Sequence, residues 1–99
     1  MTSIEYESRN ITGSAQIARH TLDLAMLIPR GGGNIGMLTV YDGIGTAGPV
    51  KMILKVPKNN SKPFVFNPHV YFFTGLYIVF TDNIDDCFVQ WRLRKKGES

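Results

Sequence analysis

Residues 38–56 read LTVYDGIGTAGPVKMILKV. Leu38 and Val40 alternate with Met37, Thr39 and Tyr41, and Val50, Met52, Leu54 and Val56 alternate with Lys51, Ile53 and Lys55. A period of two places each apolar set on one face of an extended strand, because successive side chains of a strand point to opposite sides. Between the two runs stands Asp42-Gly43-Ile44-Gly45-Thr46-Ala47-Gly48-Pro49. Glycine tolerates positive φ, proline fixes φ, and aspartate bonds to nearby backbone, so this segment is a turn between two strands.

The same period runs outward in both directions. Ile4, Tyr6 and Ser8 alternate with Ser3, Glu5, Glu7 and Arg9; Leu22, Leu24, Met26 and Ile28 with Thr21, Asp23, Ala25 and Leu27. Leu76, Ile78 and Phe80 alternate with Tyr77, Val79 and Thr81, and Val89, Trp91 and Leu93 with Phe88, Gln90, Arg92 and Arg94. Shorter strands are expected over Phe64–Phe66 and His69–Phe73. Ser14–His20 is the only helical candidate; it is too short to stand alone and reads as a strand or a single turn. Turn formers punctuate the rest: Arg30–Asn34, Pro57–Pro63, and Asp82–Asp86 between the last two strands. Seven to eight short strands at this spacing predict an all-β, antiparallel β-sandwich, jelly-roll-like or Ig-like. With no repeat and no linker, residues 1–99 form one domain with a short basic tail at 95–99.

The chain has 99 residues, 43% hydrophobic and 19% charged, which excludes disorder and allows one thin core. A single cysteine, Cys87, excludes an internal disulfide framework and a multi-cysteine metal site. No apolar run follows Met1 and none reaches membrane-spanning length, so synthesis in a cytosol is expected, and the sequons at Asn10 and Asn59 carry no meaning there. The net charge of +3 lies in Arg92–Ser99; residues 1–91 balance. That strip reads as a solvated terminus, with an electrostatic hook for nucleic acid or an acidic surface as the sharper alternative.

Candidate chemistry is sparse. Gly31, Gly33, Gly36 and Gly43, Gly45, Gly48 both match a dinucleotide-binding glycine pattern, but alternating strands follow where a helix is needed. Asp82, Asp85 and Asp86 with Asn83 offer oxygen donors without the spacing of a calcium loop, and read as a solvated turn. His20, His69 and Cys87 form no recognisable nucleophilic set. Tyr41, Tyr71, Tyr77 and Trp91 suggest a sugar-stacking platform, although Trp91 falls on the inward face. The chain is therefore expected to be no enzyme and to use no cofactor or metal.

Leu27, Met37, Ile53, Val79 and Phe88 are apolar on the face opposite the core set, where a lone sandwich carries polar residues. They point to a subunit interface, to which Arg92 and Arg94 add charge, the alternative being strands covered on both faces by loops within a monomer. A small domain gains most from such association.

Leu38-Thr39-Val40-Tyr41-Asp42-Gly43, the glycine turn and strand that follow, Phe73-Thr74-Gly75-Leu76-Tyr77-Ile78 and Val89-Gln90-Trp91 occur in that order. Over residues 36–91 this resembles small all-β virion proteins of tailed bacteriophages, in which a VYDG turn and a GLY strand recur in that order. The Asp-rich connection at 82–86 departs from the glycine-rich turn expected there. The resemblance implies a viral structural protein: a capsid decoration or cement subunit, or a tail or host-attachment, carbohydrate-binding accessory. Its partners would be itself, with a homotrimer favoured, and capsid or tail proteins, with no membrane and with nucleic acid disfavoured. Its place would be the virion, after synthesis in the host cytoplasm. No functional residue carries over.

Overall fold

The computed structural model describes residues 6–93. Ile4 and the basic residues Arg94, Lys95 and Lys96 lie outside that range. Eight strands are present: β1 (Glu7–Ile11), β2 (Ala15–Ala18), β3 (Leu22–Gly31), β4 (Gly36–Asp42), β5 (Val50–Val56), β6 (Phe64–Phe72), β7 (Leu76–Asp82) and β8 (Ile84–Leu93). They form two four-stranded antiparallel sheets, ordered β1-β8-β3-β6 and β2-β7-β4-β5.

Strands pair as β1 with β8, β2 with β7, β3 with β6 and β4 with β5. The chain is thus one long antiparallel hairpin whose tip is the turn after Asp42. Rolling that hairpin up brings β3 against β8 and β4 against β7, which completes both sheets. This is the jelly roll, and it decides between the two sandwich types expected; an Ig-like sandwich groups its strands differently. Only β4 and β5 are joined within one sheet; every other connection crosses between sheets.

The first sheet sends Leu22, Leu24, Leu27, Phe72, Cys87, Val89 and Trp91 into the core, and the second sends Leu38, Val40, Leu76 and Ile78. Met52, Leu54 and Phe80 pack against it, as their alternation predicts. Leu27 is a correction. Strict alternation places it outside, yet it is fully buried. Pairing of β3 with both neighbours slips between Leu24 and Met26, so Ala25 is an extra residue that inverts the phase of everything after it. Met26 and Ile28 accordingly leave the core face. A second slip, at Lys51, leaves Val50 49% exposed although its alternation points inward. At the edge, β1 reaches the core only through Ile11, opposite Cys87, so Tyr6 and Ser8 stay outside. Leu93 ends β8 exposed for the same reason of position.

The stretches Phe64–Phe66 and His69–Phe73 join into one strand, β6, with residues 66–69 bulging out of its pairing with β3. Asn67–Pro68 is cis within that bulge. The connection expected over Asp82–Asp86 shrinks to one residue, Asn83, at φ 42°. Ser14–His20 holds β2, and the turn after Asp42 contains a short 3-10 turn over Gly45–Ala47.

Candidate interaction surfaces

Register partners share a face, so the ladders sort the outward side chains. On the second sheet one row is Val79–Thr39–Ile53, and the next is Tyr77–Tyr41–Val50. Met37 stands beyond Thr39, opposite Lys55. The Tyr41 and Tyr77 rings lie 6.2 Å apart, tilted at 55°. Thr39 is buried under these neighbours and satisfies its hydroxyl on Thr81, 2.6 Å away. Ile53 is 58% exposed. Met37, Ile53 and Val79 therefore share one apolar outer face, as their alternation predicts.

Phe88 and Arg92 lie on the other side of the molecule, on the outer face of the first sheet. There Phe88 pairs with Ile28 and Asn10, and Gln90 with Met26 and Ser8. Arg92 is not a free tail cation. Its Nε and Nη2 donate to Oδ2 of Asp23 at 3.2 and 3.1 Å, and Asp23 is buried. At the far end of the same face Arg30 forks onto Asp86, with Nη2 2.8 Å from Oδ2. The first sheet's outer face is thus bracketed by ion pairs, whereas the second sheet's is apolar with lysines at its margin. The proposed interface set divides between two faces, Leu27 belongs to the core, and Arg94 lies outside the described residues.

The remaining candidates disperse. Trp91 fills the core and Tyr71 pairs with Asp23 on the first sheet, which leaves only Tyr41 and Tyr77 as neighbours in the aromatic platform. Asp86 faces Arg30, while Asp82 accepts a 2.8 Å hydrogen bond from Asn83. Among the described residues no three His, Cys, Asp or Glu side chains gather as a metal site, and no helix is long and apolar enough to cross a membrane. Cys87 is buried, and burial pushes its thiol up to about 12. His69 Nδ1 lies 2.9 Å from the Phe66 carbonyl and must donate to it, so Nε2 accepts from the Tyr6 hydroxyl at 2.9 Å. His20 contacts only the adjacent Thr21 carbonyl by hydrogen bond among the described residues.

Sequence reasoning missed the lock at one end of the roll. Asp42 is buried, and its carboxylate accepts from the amides of Phe73 (3.0 Å), Thr74 (2.9 Å) and Gly75 (3.4 Å). Burial pushes this carboxyl up, but the three amides and nearby Lys51 outweigh it and hold the group below its ordinary value. Beside it, Gln16 Nε2 donates its two hydrogens to the carbonyls of Ala18 and Gly43, both at 2.9 Å, with the Leu76 carbonyl sharing one of them at 3.2 Å, and its Oε1 accepts from the Gly45 amide at 2.7 Å. Gln16 and Asp42 together pin the β4–β5 and β6–β7 turns and the end of β2. Comparison with family models, curated proteins and solved structures gives no match.

Proposed function

We propose that the chain is a non-enzymatic structural subunit that associates with copies of itself through the outer face of its second sheet. The observation that supports this most is the row Val79–Thr39–Ile53 beside Tyr77–Tyr41–Val50: an apolar sheet face that no element covers among the described residues. Burying it against a second copy removes that surface from water, the main favourable term in association. The resemblance of residues 36–91 to phage virion proteins supplies the setting: a capsid decoration or cement subunit, made in the host cytoplasm and carried on the particle. Jelly rolls serve in viral shells among other places, so the fold is compatible with that setting without deciding it. Closed symmetry is the default for self-association, and a trimer matches a local threefold site. Many weak contacts across a particle then add up to firm attachment.

Light scattering on purified protein tests the association. The wild type is expected as a closed oligomer, and Ile53→Glu and Val79→Glu each as a folded monomer. A wild type that is monomeric at all concentrations and fails to co-sediment with particles overturns the reading. The Tyr41–Tyr77 pair favours one rival, a host-attachment module stacking sugar rings. Glycan-array binding that Tyr77→Ala abolishes would favour that rival.

A further inference from the structure

At the end of the roll opposite Asp42, the β3–β4, β5–β6 and β7–β8 connections surround an open groove of about 900 Å³. Lys55, Lys58 and Lys62 line it, with the amides of Asn34 and Asn83. Asp82 is the one carboxylate in the lining among the described residues, and Asn83 already donates to it. Among the described residues the ion pairs use Arg30 and Arg92, so none of the three ammonium groups is neutralised by a pair. Ile35, 65% exposed, adds an apolar wall with the exposed Pro57.

The lysine-bearing loop is tied down. Gly31 donates to the Asn60 carbonyl and Asn59 to the Gly32 carbonyl, both at 2.8 Å, and Lys62 donates to the Pro29 carbonyl at 3.1 Å. Gly32 in turn donates to the Asn83 carbonyl at 2.8 Å. A Cβ at Gly31 would stand 2.2 Å from the Pro57 carbonyl oxygen, so only glycine lets the loop close on β3. The Lys62 ammonium lies 5.5 Å from the Phe64 ring centre, which gives its stem a fixed course. The backbone that carries Lys58 and Lys62 is therefore held in place before any ligand arrives, which lowers the ordering cost of binding.

We propose that this groove binds an extended acidic peptide segment of a partner protein. Carboxylates would meet the three lysines, and apolar side chains between them would rest on Ile35 and Pro57. Nucleic acid fits less well: among the described residues no aromatic side chain lines the groove for base stacking, and three cations make a small phosphate footprint. This surface is an end of the roll, so the proposal does not depend on self-association through the sheet face.

The test is fluorescence anisotropy on the full chain at low salt, with a labelled peptide of alternating Glu and Leu. Binding is expected, and the double variant Lys58→Gln/Lys62→Gln is expected to weaken it about fivefold or more, since two exposed ion pairs are removed. Arg9→Gln/Arg19→Gln, the same charge loss at exposed sites elsewhere, is expected to leave it unchanged. No binding by the wild type, equal weakening by both double variants, or tighter binding of a single-stranded oligonucleotide of equal charge would each overturn the proposal.

Discussion

Asp42 is the residue on which one end of the molecule turns. It ends β4, yet its carboxylate serves the backbone of residues 73–75, a turn 31 to 33 positions further along. Because its folded value is held below the unfolded one of about 3.9, its contribution is fully present above that value and is lost as pH falls through the folded one. Asp42→Asn is therefore expected to lower stability near neutrality by about 1–3 kcal/mol, the cost of poorly satisfied buried amides. It should also flatten the acid limb of a urea-unfolding series from pH 7 to pH 2; an unaltered limb would assign the acid sensitivity elsewhere. The sequence shows Asp42 and Phe73-Thr74-Gly75 as two separate turn signals. Nothing in residue spacing reveals that one caps the other, because the rolling of the chain brings them together. Arg92 teaches the same lesson in charge. As text it belongs to a basic tail; in the fold it meets buried Asp23. Arg92→Leu is expected to cost about 3 kcal/mol, most of it the penalty of weakening the compensation of a buried carboxylate. A loss under about 0.5 kcal/mol in chemical denaturation would count against this account.

At the scale of the strand, alternation locates β1, β3, β4, β5, β7 and β8 but neither β2 nor the unity of β6, and its phase is least legible where both phases are apolar. Leu24-Ala25-Met26-Leu27-Ile28 offers an apolar residue at each step, so the pattern cannot show that Ala25 is extra. The ladder shows it, and the consequence is measurable. Leu27→Ala is expected to cost about 2–5 kcal/mol, as for a fully buried leucine, whereas Ile28→Ala should cost much less. Unbroken alternation predicts the reverse order, so equilibrium unfolding of the two variants separates the alternatives. The turn after β4 makes a second, independent demand. A Cβ at Gly48 would stand 2.1 Å from the Asp42 carbonyl oxygen, a contact that backbone alone can relieve. Gly48→Ala is therefore expected to lose about 1–3 kcal/mol and to distort the Asp42 lock with it. The interface residues were legible in the same uneven way. Met37, Ile53 and Val79 sit on strands whose alternation holds through their positions, and they share a face. Assigning Phe88 to that face requires knowing which strand joins which sheet, information that lies in pairing and not in period.

For the molecule as a whole, closure of the roll rests on its first and last strands. β1 covers the edge of β8, and Ile11 stands opposite Cys87. Cys87 is fully buried with its thiol pushed up to about 12, so at pH 8 almost none of it is thiolate and none is accessible. The lone cysteine is thus a built-in reporter of whether the roll is shut. In the intact protein a thiol reagent should label Cys87 only through opening, at a rate set by the free energy of that opening. Ile11→Ser keeps the backbone pairing of β1 but removes its apolar contact with the core, and should speed labelling while circular dichroism stays that of a β protein. Deleting residues 1–11 removes the strand, leaves the edge of β8 without its partner and should raise the labelling rate by about a hundredfold or more, with aggregation at the bared edge. The order wild type, Ile11→Ser, deletion is the signature of closure by β1. If the wild type labels as fast as the deletion variant, β1 does not guard the core, and the stability of the fold lies in the seven-stranded remainder.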